Sequence, residues 1–368
     1  MCCSETNRID VETADDTVEV RKGRWLRIIH RNPDGIPGES HVTGNAVHSS
    51  VFQVNSWLVN GVENQPFTIM NDNHGPGERT NKIVIFFIHG VGGSSEIWNE
   101  QIEHFTKLGY VVVASDILGH GGSSAPRDAS SYTFSEIALD MFAVFDRYRS
   151  DRRNILVGHS YGCSFCTKIA SERPRQVSKM ILISGGGPVP LIPQPCQLFC
   201  LPSLILACLK PFVVWSFRRM GFHAHTSRNT IQSSGAFEVP SYVLRATMMG
   251  QTWNEGNEEF HSDLMVATLL IYGNHDNFVT LDEETHMHET IYGSTLEVLE
   301  NAGHMVMLEC PDKVNELILQ FLRRDDSTQS DILLANGSRP GCSTVSEAKN
   351  TASTIHDSQL SLHTPSDI

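Results

Sequence analysis

Short, unbroken apolar runs alternate with segments of helical period from residue 83 to residue 322, and few folds accept that pattern. The runs are IVIFFI (83–88), YVVVA (110–114), NILV (154–157), VSKMILI (177–183) and ATLLIY (267–272). A strand that is apolar along its whole length has to be covered on both faces. One more strand is predicted at 295–299. Helical patterns fill the gaps over 95–108, 134–148, 160–171, 281–291 and 311–322. Such alternation predicts an α/β fold: a mostly parallel central sheet, right-handed crossovers and flanking helices.

The ends read differently. Residues 1–16 are polar and expected to be disordered. A β-hairpin is predicted from 17–20 and 24–29 around Lys22-Gly23. Residues 51–59 have the composition of another strand, and 71–81 that of a polar linker. Residues 17–81 are therefore read as N-terminal strands and linker, and 82–324 as the main domain. Residues 325–368 hold 14 Ser/Thr and little apolar pattern, so a disordered tail is expected. Its last three residues, Ser366-Asp367-Ile368, match a form that some edge-strand-pairing domains accept, and tripeptides match often by chance.

Composition then excludes whole classes. With 40% hydrophobic and 19% charged residues, the 368-residue chain is not wholly disordered. Its net charge of −14 argues against non-specific nucleic-acid binding. The nine cysteines are odd in number and scattered, and residues 1–30 contain no apolar signal region. A reducing, intracellular setting without a disulfide framework is expected, cytoplasmic or peripheral on a membrane. Cys163 and Cys166 fall within a predicted helix and are read as packing.

The sharpest chemical signal is Gly158-His159-Ser160-Tyr161-Gly162, directly after a strand and opening a helix. In that context G-x-S-x-G reads as a nucleophile elbow. The serine occupies a tight turn, and the flanking glycines let the backbone pass without a Cβ clash. A serine hydroxyl needs a base, and the base needs a group to orient it. The expected chain order is Ser, acid, His. Asp276 follows ATLLIY and is the candidate acid. The stretch after VSKMILI has no carboxylate before Glu238, so the alternative acid position is empty in the sequence. His304 follows the last strand and is the candidate base. His89, His120, His159 and His275 are read as structural or surface histidines, with His159 pointing away from the site.

An oxyanion hole requires two N–H donors. One is expected from Tyr161, after the nucleophile. The other is expected from the loop His89-Gly90-Val91-Gly92-Gly93, with Val91 N–H as the candidate. The loop DILGHGGS (116–123) is assigned a structural role beneath the pocket.

With these motifs in hand, the sequence resembles the α/β-hydrolase superfamily over about residues 82–324. FFIHGVGGS, GHSYG, SGGGP, NHDNFV and HMVMLECP carry the resemblance, and SGGGP and HMVMLECP point to a narrower group within it. It implies a serine hydrolase of the lipase/esterase type, with no cofactor and no metal. Some relatives carry H-x-x-x-x-D around the catalytic histidine and are linked to acyl transfer onto lysophospholipids. Here the segment runs from His304 to Glu309, which puts the transferase reading in doubt. Relatives that attack epoxides or haloalkanes use Asp where this chain has Ser160.

More than 80 residues separate VSKMILI from ATLLIY, and the resemblance places a helical cap at about 188–262. Within it, 198–217 is nearly all apolar. It is read as a buried pair of cap helices, a lipid-meeting surface or a membrane span, the last opposed by Pro202, Lys210 and Pro211. Residues 173–237 hold seven Lys/Arg and no acid, which suits anionic lipid head groups. Cys2 and Cys3 are either S-acylation sites or two unmodified thiols.

The expected function is cleavage of a carboxylic ester, of a lipid or a small molecule, through Ser160, His304 and Asp276. The alternatives are a lysophospholipid acyltransferase using the same acyl-enzyme and an interaction protein on a hydrolase scaffold.

Overall fold

The computed structural model describes residues 15–33, 82–193, 198–235 and 237–324. Cys2, Cys3, the strand expected at 51–59, the linker and the tail lie outside the described residues.

Among the described residues, eight strands form one sheet. They are β1 (Asp15–Arg21), β2 (Arg24–Arg31), β3 (Ile83–Ile88), β4 (Val111–Ser115), β5 (Arg153–His159), β6 (Val177–Ile183), β7 (Ala267–Gly273) and β8 (Thr295–Leu299). Their spatial order is β1-β2-β4-β3-β5-β6-β7-β8. All pairings from β4 to β8 are parallel. The hairpin β1–β2 adds to the edge antiparallel, through Ile28–Ser115 and Arg31–Val112. It therefore belongs to the same sheet as the strands after residue 82.

Among the described residues, ten α-helices accompany the sheet: α1 (Asn99–Lys107), α2 (Phe134–Tyr148), α3 (Tyr161–Glu172), α4 (Ser203–Met220), α5 (Arg228–Ser233), α6 (Ser241–Met249), α7 (Glu258–Ser262), α8 (Leu281–Thr290), α9 (Val306–Glu309) and α10 (Pro311–Arg323). α4 to α7 lie in the insertion between β6 and β7. Two of these helices, α2 and α8, start where a polar side chain caps them. Thr133 accepts from the Glu136 N–H before α2, and Thr280 with Glu283 forms a reciprocal capping box before α8.

The pleat sorts each apolar run into two cores. Val84, Phe86 and Ile88 pack beneath α2 and α3 with Phe145, Phe165 and Met141. Ile85 and Phe87 pack on the opposite face with Trp98, Phe105 and Phe321. Side chains alternate faces along a strand, so an all-apolar strand fills both layers. Each fully buried Leu, Ile or Phe contributes about 1.5–3 kcal/mol.

Polar contacts fix the edges. Arg24 and Arg21 both reach the fully buried Asp140 of α2, with Arg24 Nε 2.6 Å from Oδ1 and Arg21 Nη1 3.2 Å from it. The hairpin is thereby tied to the domain, because an arginine lost here leaves a buried carboxylate less compensated. Lys179 of β6 donates to the carbonyls of Phe321 and Arg324 at the end of α10, where the helix dipole favours a cation.

The segment 198–217 departs from a buried helix pair. It forms a short turn and the single helix α4, with Pro211 inside it. Among the described residues, no helix is long and apolar enough to cross a membrane.

Candidate active site

The strand order reverses at β3. The chain passes from β3 to β4 on one side, then crosses to β5 on the other. Loops leaving β3 and β5 therefore diverge at the carboxyl end of the sheet, which opens a crevice there. HGVGG follows β3 and the serine turn follows β5, so the topology brings the two motifs together. Gly90 to Gly93, Ser160 and His304 line one cleft with Phe217, Ile97 and Met305.

Ser160 stands at φ 52° and ψ −124°, a left-handed conformation that non-glycine residues rarely adopt. Several contacts hold it there. Its N–H donates to the Ile183 carbonyl at 2.9 Å, and its own carbonyl accepts from Cys163 N–H at 2.9 Å. Gly162 is required because a Cβ there would lie 2.3 Å from the Ile88 carbonyl oxygen. Gly90 is required because its Cβ would fall 2.9 Å from that of Ser160. The strain is thus imposed by packing on both sides of the turn.

His304 and Asp276 meet across two loops. His304 Nδ1 is 2.8 Å from Asp276 Oδ2, and both side chains are buried. The second oxygen, Asp276 Oδ1, accepts from the N–H groups of Phe278 at 2.7 Å and Val279 at 3.1 Å. Burial pushes the carboxyl up, but His304 and these two amides outweigh it and hold the group below the usual range. An ionised Asp276 fixes Nδ1 of His304 as the protonated nitrogen and leaves Nε2 free to accept. Among the described residues no hydrogen bond joins Ser160 Oγ to His304. Catalytic contacts of this kind often tighten only with substrate.

Val91 borders this cleft and Tyr161 directly follows Ser160, at the first position of α3; neither N–H donates to another backbone group among the described residues. The loop that carries Val91 is braced from below. Asp116 Oδ1 accepts from Ser95 N–H at 2.6 Å, and Oδ2 accepts from Gly122 N–H at 2.8 Å. DILGHGGS is therefore a brace for the loop that follows β3.

The other histidines divide by environment. His89 is fully buried. It donates from Nδ1 to the Gly90 carbonyl at 2.7 Å and accepts at Nε2 from Ile117 N–H at 2.9 Å. Burial lowers its pKa, and lowers that of His120 to about 3. His275 is exposed and packs on the His223 ring. His159 corrects the expectation that it points away. It borders the cleft, and its Nε2 donates to the His304 carbonyl at 3.0 Å.

The insertion completes the site. Phe217 of α4 stacks on Phe278 with 5.5 Å between centroids, and Phe278 packs edge-on against His304 at 5.1 Å. Glu309 joins the cap to the loop that carries His304. Its Oε2 accepts from Gly303 N–H at 2.7 Å, and its Oε1 accepts from His223 N–H at 2.6 Å and from the Thr226 hydroxyl. Met305 N–H donates to the Gly221 carbonyl at 3.1 Å, and Asn277 Nδ2 to that of Met220 at 2.9 Å. Sequence reasoning missed Phe217, Phe278 and the role of Glu309, because each depends on contacts between distant segments. The cleft is narrow, about 20 Å³, roughly room for one water.

Cys163 and Cys166 are both buried in α3, and burial raises both thiols. They pack, as a helix-facing pair does.

Comparison with known proteins agrees with this architecture. A family model for the alpha/beta hydrolase fold matches residues 83–204. The chain is 50% identical to Protein ABHD8 of Mus musculus over 242 residues, covering 65% of this chain and 55% of that protein. The narrower resemblance of SGGGP and HMVMLECP is to that group. The chain spans about half the length of the curated relatives it matches. Among solved structures, an enol-lactonase from Burkholderia xenovorans LB400 is similar at a TM-score of 0.61 and 16% identity, over 83% of this chain and 99% of that one. An esterase from Exiguobacterium antarcticum is similar at 0.56 and 21%, over 67% and 93%. At such identities the likeness concerns the fold. On sheet order, serine turn and relatives together, the chain has the α/β-hydrolase fold.

Proposed function

We propose that this protein is a serine esterase acting on a carboxylic ester, that of a lipid, through an acyl-enzyme. Ser160 Oγ attacks the ester carbonyl as His304 Nε2 takes its proton. Asp276 holds the imidazole and stabilises the imidazolium. The N–H groups of Val91 and Tyr161 receive the oxyanion. The alcohol leaves with the proton from His304, and water then attacks the acyl-enzyme with His304 again as base. No cofactor takes part.

The observation that carries this reading is the 2.8 Å contact between His304 and Asp276 beside a serine held at positive φ. A lipid acyl group suits the apolar walls formed by Phe217, Ile97 and Met305. Hydrolysis is favoured over transfer to a lysolipid, because the Glu309 carboxylate is consumed by three structural donors. Esterase and lactonase names among the structural neighbours agree in reaction type.

The test is covalent labelling with a fluorophosphonate. The chain should label, and Ser160→Ala should lose the label while keeping its melting temperature. His304→Ala should be nearly as damaging to ester turnover, and the double variant little worse, since the groups act as a unit. Undiminished labelling of the alanine variant would discard the assignment.

A further inference from the structure

We infer that the outer face of α4 is a docking surface for an anionic lipid bilayer. α4 runs 18 residues, about 27 Å at 1.5 Å per residue. Leu204, Cys208, Phe212, Trp215 and Arg219 recur every three or four residues, so they share one face, with Ile205 at its border. That face is bare. Leu204 is 78% exposed, Phe212 60% and Trp215 55%. Leu206 and Val213, on the opposite side, are buried against the cap. The outer aromatics form one unit: Phe212 and Trp215 stack at 5.7 Å, and the Arg219 guanidinium lies 5.9 Å over the Trp215 ring. A row of large apolar side chains bordered by arginine is the composition of a helix lying in a lipid interface.

Charge selects the occupant. The chain carries −14 overall, yet the stretch 203–233 of α4 and α5 contains Lys210, Arg218, Arg219 and Arg228 and no acid. An anionic surface is repelled by most of this protein and attracted along α4. Position agrees. Phe217, on the inner side of the same helix, forms a wall of the cleft that holds Ser160 and His304. A bilayer against α4 would thus lie over the narrow cleft, and a cap drawn outward by it would widen the entrance. Delivery of a membrane-resident ester to Ser160 rests on the proposed esterase function; the docking itself does not.

The test measures binding with the full chain carrying Ser160→Ala, so that its outcome is independent of catalysis. Co-sedimentation is compared on vesicles of phosphatidylcholine alone and with about 30 mol % phosphatidylserine. Binding to the anionic vesicles is expected, and Phe212→Glu with Trp215→Glu should weaken it at least about tenfold. Arg219→Glu should weaken it several-fold at low salt, and less at high salt, where charge is screened. With Ser160 restored, these variants should hydrolyse a small soluble ester at the parent rate. Should the double variant lose that turnover, Leu204→Glu, at the free end of the helix, makes the decision in its place. Absence of vesicle binding, or equal binding by the variants, overturns the inference. So does a parent dimer that the glutamates convert to monomer, because the face then belongs to a second copy. Loss of soluble-ester turnover in the parent, with vesicle binding intact, would overturn the esterase reading and leave the docking surface standing.

Discussion

His159 Nε2 donates to the carbonyl oxygen of His304 over 3.0 Å, joining residues 145 positions apart. The ring just before Ser160 thereby sets the depth of the loop that carries His304. The two rings lie 4.7 Å apart, and burial holds His159 neutral, with its pKa lowered to about 3. A neutral ring has one N–H, and the carbonyl takes it.

His159→Ala is expected to lower kcat on a small ester by about 10- to 100-fold, because an error of about 1 Å in the base is that costly. KM should move little. Steady-state kinetics on the purified variant provide the check, and an unchanged kcat would show that His304 is held by other contacts.

Asp276→Asn keeps the shape of the acid loop but can no longer fix Nδ1 of His304 as the protonated nitrogen. Turnover is expected to fall by about 10³- to 10⁴-fold. The Phe278 and Val279 amides retain an acceptor in the asparagine oxygen, so the melting temperature at neutral pH should change only slightly. A loss of under tenfold in turnover would remove Asp276 from the mechanism.

Stability should pass through a maximum near pH 6.5. His120 and His159 titrate near 3 in the folded chain, against 6.5 when unfolded, and His89 is lowered as well. Between those values the unfolded chain binds more protons, so stability rises with pH. Glu284 acts in the opposite sense. Burial raises its carboxyl from 4.5 to about 8, although Gly186 N–H donates to it at 3.0 Å. Between pH 4.5 and 8 the unfolded chain binds fewer protons, so this group removes stability as pH rises, of the order of 5 kcal/mol once fully ionised. Above 6.5 the Glu284 effect is the one that remains. Glu284→Gln keeps the acceptor for Gly186 and should flatten the fall between pH 6.5 and 8. Denaturant midpoints measured across pH 4–9 test both limbs.

Cys2 and Cys3 bear on membrane association by a separate route. If both carry acyl chains, two anchors give stable attachment where one gives only marginal binding. Changing both to serine should shift the expressed protein to the soluble fraction and abolish a hydroxylamine-sensitive acyl label. Unaltered fractionation together with no such label in the parent would leave two plain thiols.

Much of the fold was legible because its signals are local. IVIFFI, VSKMILI and TLEVL stand as β3, β6 and β8 at the expected bounds, since periodicity and chain-reversing glycines are read within one segment. Ser160, Asp276 and His304 were also legible, because strand order fixes which loops reach the carboxyl end of the sheet. Folding decided what depends on distance. The sequence after β6 offers no acid before Glu238, yet α8 brings Glu284 onto Gly186 in that very loop. An apolar stretch with two prolines leaves a buried pair, a lipid-meeting surface and a membrane span open. It forms a short turn and the helix α4, which buries Leu206 and Val213 and leaves Leu204, Phe212 and Trp215 bare. Glu309 likewise reads as a departure from a motif, and becomes a clamp only when His223 and Gly303 arrive on either side. Local pattern determines which backbone a segment adopts. Which partner satisfies a buried charge, and which apolar face stays uncovered, is settled only when segments far apart in the chain are packed together.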